Sequence, residues 1–523
     1  MKAQSITTVD AAFSCALVLA LFAAFCVFNT GVHSLYEFPL DDAWIHQVYV
    51  RGLVTDLMPT YNSGIPEAGF SSPLWLFICI PGYLISTLFG SGPVVAAKIN
   101  SMILAAIAAA GTGRIAGFFT RDPYVGLYAA AALLLGPGFA FSTVSGMEVT
   151  LAAACLAWAF VAWLHGRCTT AGVLFALSAL SRPEAAVIIP VVILFEFFPG
   201  SRPLRDRTRG AVFILLPAAV FASVWIVYNL SVSGRSLPNT FYVKATAPAG
   251  SNAVEYFLSR VVLGYGIFPA AGAIAAGLAG AFFALRNRAK RIPAAAVAAA
   301  VAAAVAGVMF TRRFEISVSY FMARYYYPFL VFWAVFTGLG LQFLKKYLSE
   351  KTGMRPWTAA LVPLVLFMGL SVPGLIRARG SYAAHCSDIY ALHTRVALDA
   401  TGRVPPDAVV GAEGAGSIRY HMPNFVLDLV GLNASVLSDV HGDIALRSCI
   451  QAGYRPSLLV IPDNWVRAFE PVFELETVKV YEVRNWSVVD GKGPRRVLML
   501  KSAVRPEFYE ACRRRFGPGS KSR

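Results

Sequence analysis

Two adjacent carboxylates, Asp41 and Asp42, head the segment Ala43-Trp44-Ile45-His46-Gln47-Val48-Tyr49-Val50-Arg51, shortly after the first long apolar run. Such a pair suits general-base work on a hydroxyl: one acid takes the proton, and the other orients it or binds a cation. A helix starting near Leu40 would set Asp42, Ile45, His46 and Tyr49 on one face, with Asp41 roughly 100° away. Helix capping and the helix dipole favour acids at the same place, so a purely structural use competes. The next polar stretch, Glu67-Ala68-Gly69-Phe70-Ser71-Ser72-Pro73-Leu74-Trp75, offers Glu67 and two serines that can hydrogen-bond a sugar or phosphate. Its Phe70 and Trp75 also suit an interfacial anchor.

Further candidates follow along the chain. Glu148, in Ser145-Gly146-Met147-Glu148, either caps a helix or enters a cavity as a substrate ligand. Arg182-Pro183-Glu184 interrupts an apolar stretch with two charges, tolerated there only beside protein or water. In Gly234-Arg235-Ser236-Leu237-Pro238-Asn239-Thr240-Phe241-Tyr242-Val243-Lys244, two cations flank an aromatic pair. They can grip a phosphate by charge-assisted hydrogen bonds or simply snorkel. Arg312, Arg313 and Arg324 sit where the charge bias predicts few cations, which an anionic lipid headgroup would explain. His33, His165, His385, His393, His421 and His441 show no metal-ligand spacing and read as ordinary. Gly411-Ala412-Glu413-Gly414-Ala415-Gly416 follows a β-like run but misses the register of a dinucleotide loop, so it reads as a glycine-rich strand-to-helix turn.

The elements that must position these residues are membrane helices. The 523 residues are 57% hydrophobic and 14% charged, against about 25% charged in soluble domains. Mean hydropathy is +0.60. Long apolar runs recur from residue 8 to about residue 376, and roughly 20 such residues cross a bilayer. The net charge of +16 gathers in short gaps, such as Arg202 to Arg209 and Arg286 to Arg291, which points to the positive-inside rule rather than to nucleic acid. About eleven spans satisfy that bias, near 8–29, 93–118, 123–141, 147–165, 169–182, 184–199, 210–230, 257–285, 293–311, 320–343 and 357–376. The first reads as a retained span, and 72–90 as a juxtamembrane helix. A rival map makes 72–90 a span and 169–199 one helix. Both maps put the loops 30–70 and 231–256 and the tail outside, and Ala294–Ala306 reads as a close-packing span. The chain is thus expected to hold a transmembrane domain over 1–379 and a small extracytoplasmic α/β domain over 380–523, with strands near 408–410, 457–461, 478–483 and 496–500. Of the eight cysteines, none forms a C-x-x-C pair, and Cys386, Cys449 and Cys512 could hold one disulfide in an oxidising compartment.

Taken in order, several of these motifs resemble a known group. Asp41-Asp42-Ala43, Tyr49-Val50-Arg51-Gly52-Leu53 and Glu67 through Trp75 resemble the first-loop signature of bacterial GT-C glycosyltransferases, in particular the terminal arabinofuranosyltransferases of mycobacterial cell walls. Ser145 through Glu148, Ser181-Arg182-Pro183-Glu184, Leu237 through Lys244 and Val426-Leu427-Asp428-Leu429-Val430-Gly431-Leu432 continue it. Met147 and a shorter chain depart from that group, which leaves the sugar open. The resemblance implies a multi-pass protein of the bacterial inner membrane that takes sugar from a polyprenyl-phosphate donor. The sugar passes to an envelope glycan, lipid or protein on the periplasmic face, with inversion. It carries the base to Asp41, with Asp42 assisting. His46, Tyr49, Glu67, Ser71, Glu148, Arg182, Glu184, Asn239, Tyr242, Lys244 and Arg324 become substrate-binding candidates. No cofactor is required, although adjacent Asp41 and Asp42 leave Mg or Mn open. A flippase of lipid-linked sugar and a non-catalytic envelope assembly protein are the competing readings.

Overall fold

The computed structural model describes residues 21–198, 203–245, 267–311, 324–440, 444–488 and 493–516. The chain divides into two compact units. One takes in Met1–Gly31, Val95–Val224 and Gly250–Tyr382; the other takes in Val32–Val94, Trp225–Ala249 and Ala383–Arg523.

The first unit is helical, because its apolar runs leave no polar backbone partner but their own turns. Among the described residues five helices are long and apolar enough to cross a membrane: Val94–Phe119, Leu204–Ser233, Arg291–Val308, Tyr327–Thr352 and Pro356–Ala400. Val125–Leu134 and Pro137–Thr143, bent by 77°, make a sixth if the pair is one span. Parts of the expected spans 8–29, 257–285 and 320–343 lie outside the described residues. The helices Val149–Leu164 and Cys168–Ser181 stop short, and Arg182-Pro183 breaks the stretch after them. The N-terminal half of the first expected span lies outside the described residues.

Small residues let these helices approach. A side chain at Gly280 would overlap the Phe336 carbonyl, and one at Gly340 the Ala276 carbonyl, so Ile267–Arg286 and Leu330–Thr352 pack backbone to backbone. In Arg291–Thr311, Ala294, Ala296, Ala300 and Ala304 are buried in the same manner.

The second unit joins Val32–Val94 and Trp225–Ala249 to the tail. Its strands β1 (Thr60–Asn62) and β2 (Ile65–Pro66) pair antiparallel, and β3 (Val409–Ala412), β4 (Phe425–Asp428), β5 (Leu458–Pro462), β6 (Phe473–Val483) and β7 (Arg495–Val504) form a sheet of order β4-β3-β5-β7-β6. β3, β4 and β5 run parallel, while β7 is antiparallel to β5 and β6. The expected strands coincide with β3, β5, β6 and β7; β4 and its Asp428 fall in a stretch read only as a motif. The first loop covers the open edge of β4. Asn62 Nδ2 donates to the Val426 carbonyl at 3.0 Å and Asn62 Oδ1 accepts from Val426 N at 2.9 Å, so one side-chain amide stands in for a neighbouring strand. The helix Pro73–Leu88 belongs to this unit, and its 16 residues reach about 24 Å, short of the roughly 30 Å hydrocarbon core.

Cys449 and Cys512 are joined, tying the helix Ile444–Gly453 to Pro506–Phe516 across 63 residues of sequence; the buried Cys386 stays a thiol, its Sγ donating to the Glu37 carbonyl at 3.4 Å. Reduction removes a constraint on the unfolded chain worth about 2–4 kcal/mol. Thermal melting in detergent with and without a reductant should therefore show a lower midpoint for the reduced protein. Equal midpoints would make the bridge stabilise nothing.

Candidate active site

The helix Asp41–Thr55 begins where the sequence places it, at two acids that suit a helix N-terminus. The Asp41 side chain turns to the glycine-rich turn after β3. Asp41 Oδ2 accepts from Gly416 N at 2.7 Å, and Oδ1 from Ser417 N at 2.8 Å. The His393 Nδ1 lies 3.4 Å from Oδ1. Glu37 braces the same turn. The Ser417 hydroxyl pairs with the Thr394 hydroxyl at 2.6 Å, Thr394 donates to Glu37 Oε2 at 2.6 Å, and Trp44 Nε1 donates to Glu37 Oε1. Gly414 and Gly416 are required by close approach: a Cβ at Gly414 would enter the His393 imidazole, and one at Gly416 would strike Asp41. Asp42 is half-buried in the first turn, and His46 is buried one turn on.

A second polar knot lies in the same unit. The Tyr49 hydroxyl donates to Asn433 Oδ1 at 3.1 Å and accepts from Gly69 N at 3.2 Å. Glu67 Oε2 accepts from the Ser435 hydroxyl at 2.5 Å, Ser435 N at 3.2 Å and Asn239 Nδ2 at 3.4 Å. Asn239 N donates to the Ala68 carbonyl at 2.9 Å. Burial raises the Glu67 pKa against the pull of these donors. Asp428 is fully buried. It accepts from Val430 N and Gly431 N on Oδ1 and from Asn433 N and Nδ2 on Oδ2, and burial still pushes its pKa up to about 6. Arg235 pairs with Asp439 at 2.7 Å and stacks over Tyr242 at 4.5 Å.

In the helical unit, Arg182 NH1 meets Glu148 Oε1 at 2.8 Å, and Arg182 Nε lies 3.8 Å from Glu184. The Tyr325 ring has two guanidinium neighbours, Arg182 at 4.6 Å and Arg324 at 5.4 Å. Lys98 is buried, its Nζ 3.3 Å from Asn29 Oδ1 and 5.3 Å from the centre of the Tyr382 ring.

No family model and no curated protein matches the sequence. Solved structures do. ArnT from Cupriavidus metallidurans, bound to undecaprenyl phosphate, is 14% identical, with 93% of this chain and 98% of that chain covered at a TM-score of 0.58. The oligosaccharyltransferase AglB from Archaeoglobus fulgidus, in complex with an inhibitory peptide and a dolichol-phosphate, is 12% identical over 87% and 70% of the two chains at 0.57. The arabinofuranosyltransferase AftD from Mycobacteria is 15% identical over 94% and 40% at 0.52. This chain has the GT-C fold.

Within this GT-C chain the sequence candidates fall into two sets. Asp41, Asp42, His46, Tyr49, Glu67, Ser71, Asn239 and Tyr242 lie in the unit with the sheet; Glu148, Arg182, Glu184 and Arg324 lie in the helical unit. Lys244 closes the helix Asn239–Ala245, its side chain outside the described residues, as are Arg312 and Arg313. Many candidates read as separate ligands bond one another: Tyr49, Glu67 and Asn239 interlock with the Asp428 turn, and Arg182 with Glu148. His393, read as ordinary, stands at Asp41. Its signal is a turn of π-helix, Tyr390–Thr394, which sequence periodicity does not show. Glu37 and Lys98 were legible as isolated charges beside or within apolar runs.

Proposed function

We propose that the protein transfers a sugar from a polyprenyl-phosphate donor to a hydroxyl of an envelope glycan, lipid or protein, on the periplasmic face of a bacterial inner membrane and with inversion. The observation that carries this is the Asp41 carboxylate, oriented by two amides at the head of the first-loop helix in a chain with the GT-C fold. Among the described residues Oδ1 faces both Ser417 N and His393, and Oδ2 faces Gly416 N, so Oδ2 keeps a lone pair for an acceptor hydroxyl. In the reaction the hydroxyl proton passes to Oδ2 and its oxygen bonds the anomeric carbon. The carbon–phosphate oxygen bond breaks, and its electron pair leaves with polyprenyl phosphate. A cation near the phosphate lowers the barrier; Arg182, Lys244 and Arg324 are the candidates that the sequence offers.

The similar structures support a lipid-phosphate donor, since ArnT holds undecaprenyl phosphate and AglB a dolichol-phosphate. The Cys449–Cys512 bridge supports an oxidising, extracytoplasmic setting for the tail. One N–H donor points at each Asp41 oxygen, which orients the carboxylate for proton transfer by itself. No step is routed through a metal.

The test is a panel of polyprenyl-phosphate sugars with purified protein and envelope extracts, read as new glycosidic bonds and their anomeric configuration. Products of inverted configuration are expected. Donor movement across liposomes without bond formation would replace this reading by a flippase.

A further inference from the structure

The glycine-rich turn and His393 both converge on Asp41. His393 lies in the π-helical turn Tyr390–Thr394, a local insertion that changes which way a side chain faces. It is buried, its ring runs nearly parallel to Trp486 at 6.4 Å, and the backbone of Gly414 leaves room for nothing larger than hydrogen beside Nδ1. The charged groups that face it are Asp41, Glu413 and Arg495. Glu413 and Arg495 pair with each other at 2.8 Å, and Arg495 stacks over Trp486 at 4.6 Å. Those two charges offset, which leaves Asp41 as the carboxylate that the imidazole answers.

We propose that His393 is a positioning residue for Asp41: its Nδ1, 3.4 Å from Oδ1 in an ion-pair contact, keeps that oxygen on the side of Ser417 N, so that Oδ2 is the oxygen presented to the acceptor. This rests on the transferase reading, in which Asp41 is the base. The imidazole touches no substrate in this role, since both ring nitrogens are shielded from solvent. An asparagine in its place carries an N–H near the Nδ1 position, whereas leucine fills the space without one. The proposal also gives the turn a purpose: Gly414 admits the imidazole and Gly416 admits the carboxylate.

Two measurements test it, one of them independent of turnover. The chain has seven histidines, so histidine-labelled full-length protein in detergent gives few NMR signals, and His393→Asn identifies one. The His393 titration should fall by about 1 unit or more in Asp41→Asn, because an opposing charge within this distance favours the protonated ring. An unmoved titration overturns the pairing. In the transfer assay, His393→Leu should lose about 10²-fold in kcat with KM within about twofold, as expected for a misplaced base. His393→Asn should recover most of the loss. Equal loss in both variants, or loss confined to KM, overturns the positioning role. Should the wild-type protein transfer no sugar, the transferase reading and the positioning role fall together, and the titration still decides whether His393 and Asp41 are paired.

Discussion

Asp41→Asn should lower kcat for sugar transfer by about 10²–10⁴-fold, the usual contribution of a positioned base. An amide at this position has one acceptor oxygen where the carboxylate has two. Gly416 N and Ser417 N can then no longer both be satisfied on separate oxygens, and one buried donor is left over. That costs about 1–3 kcal/mol in stability, so the variant should melt earlier yet remain folded. Comparison with Asp42→Asn separates the two acids. A large loss in Asp41→Asn, with a smaller one in Asp42→Asn, assigns the base to Asp41. The reverse pattern would make Asp41 a tether for the turn and hand the proton to Asp42. Normal transfer in both would end the carboxylate mechanism.

Arg182→Met should be the most destabilising single change in the helical unit. Arg182 and Glu148 are each about 5% exposed, so removing the guanidinium leaves a carboxylate with no water to replace it. Breaking such a buried pair costs about 3–5 kcal/mol, whereas replacing both members with apolar groups is often neutral. The double variant Arg182→Met, Glu148→Leu should therefore recover part of the thermal midpoint in detergent, the rest reflecting the loss of the Arg182–Glu184 contact at 3.8 Å. Activity then separates two uses of the pair. If the double variant regains both stability and transfer, the pair is structural. If it regains stability alone, one of the two charges meets substrate. No recovery of stability would mean that the cost lies elsewhere, for instance in the guanidinium's packing on Tyr325.

The motifs that carried the resemblance turn out to be linked by more than order. Glu67 through Gly69, Asn239 and the Asp428 turn lie up to several hundred residues apart, and their polar atoms satisfy one another in one unit. A motif built of polar residues in outer loops looks like a ligand set when read along the chain. In space, most of these donors and acceptors already have partners. Residues such as Glu67 and Asn239 thus hold the loops to the tail, whatever else they touch.

Composition and periodicity alone determined that this is a helical membrane protein with an α/β tail. Those properties follow from local chemistry: an apolar run must close its own hydrogen bonds, and alternating short runs make strands. The start of the helix at Asp41 was legible for the same reason, since acids favour a helix N-terminus. The tertiary structure alone decided which residues attend Asp41. Gly416, Ser417 and His393 come from more than 350 residues away, and neither a backbone amide nor a π-helical turn has a residue signature. It also decided how the apolar stretches break. The 77° bend before Pro137 depends on how freed backbone groups find new partners, whereas the stop at Arg182-Pro183 is already legible as a proline between two charges. Spacing along a chain records what each segment can bury by itself, and those partners belong to other segments.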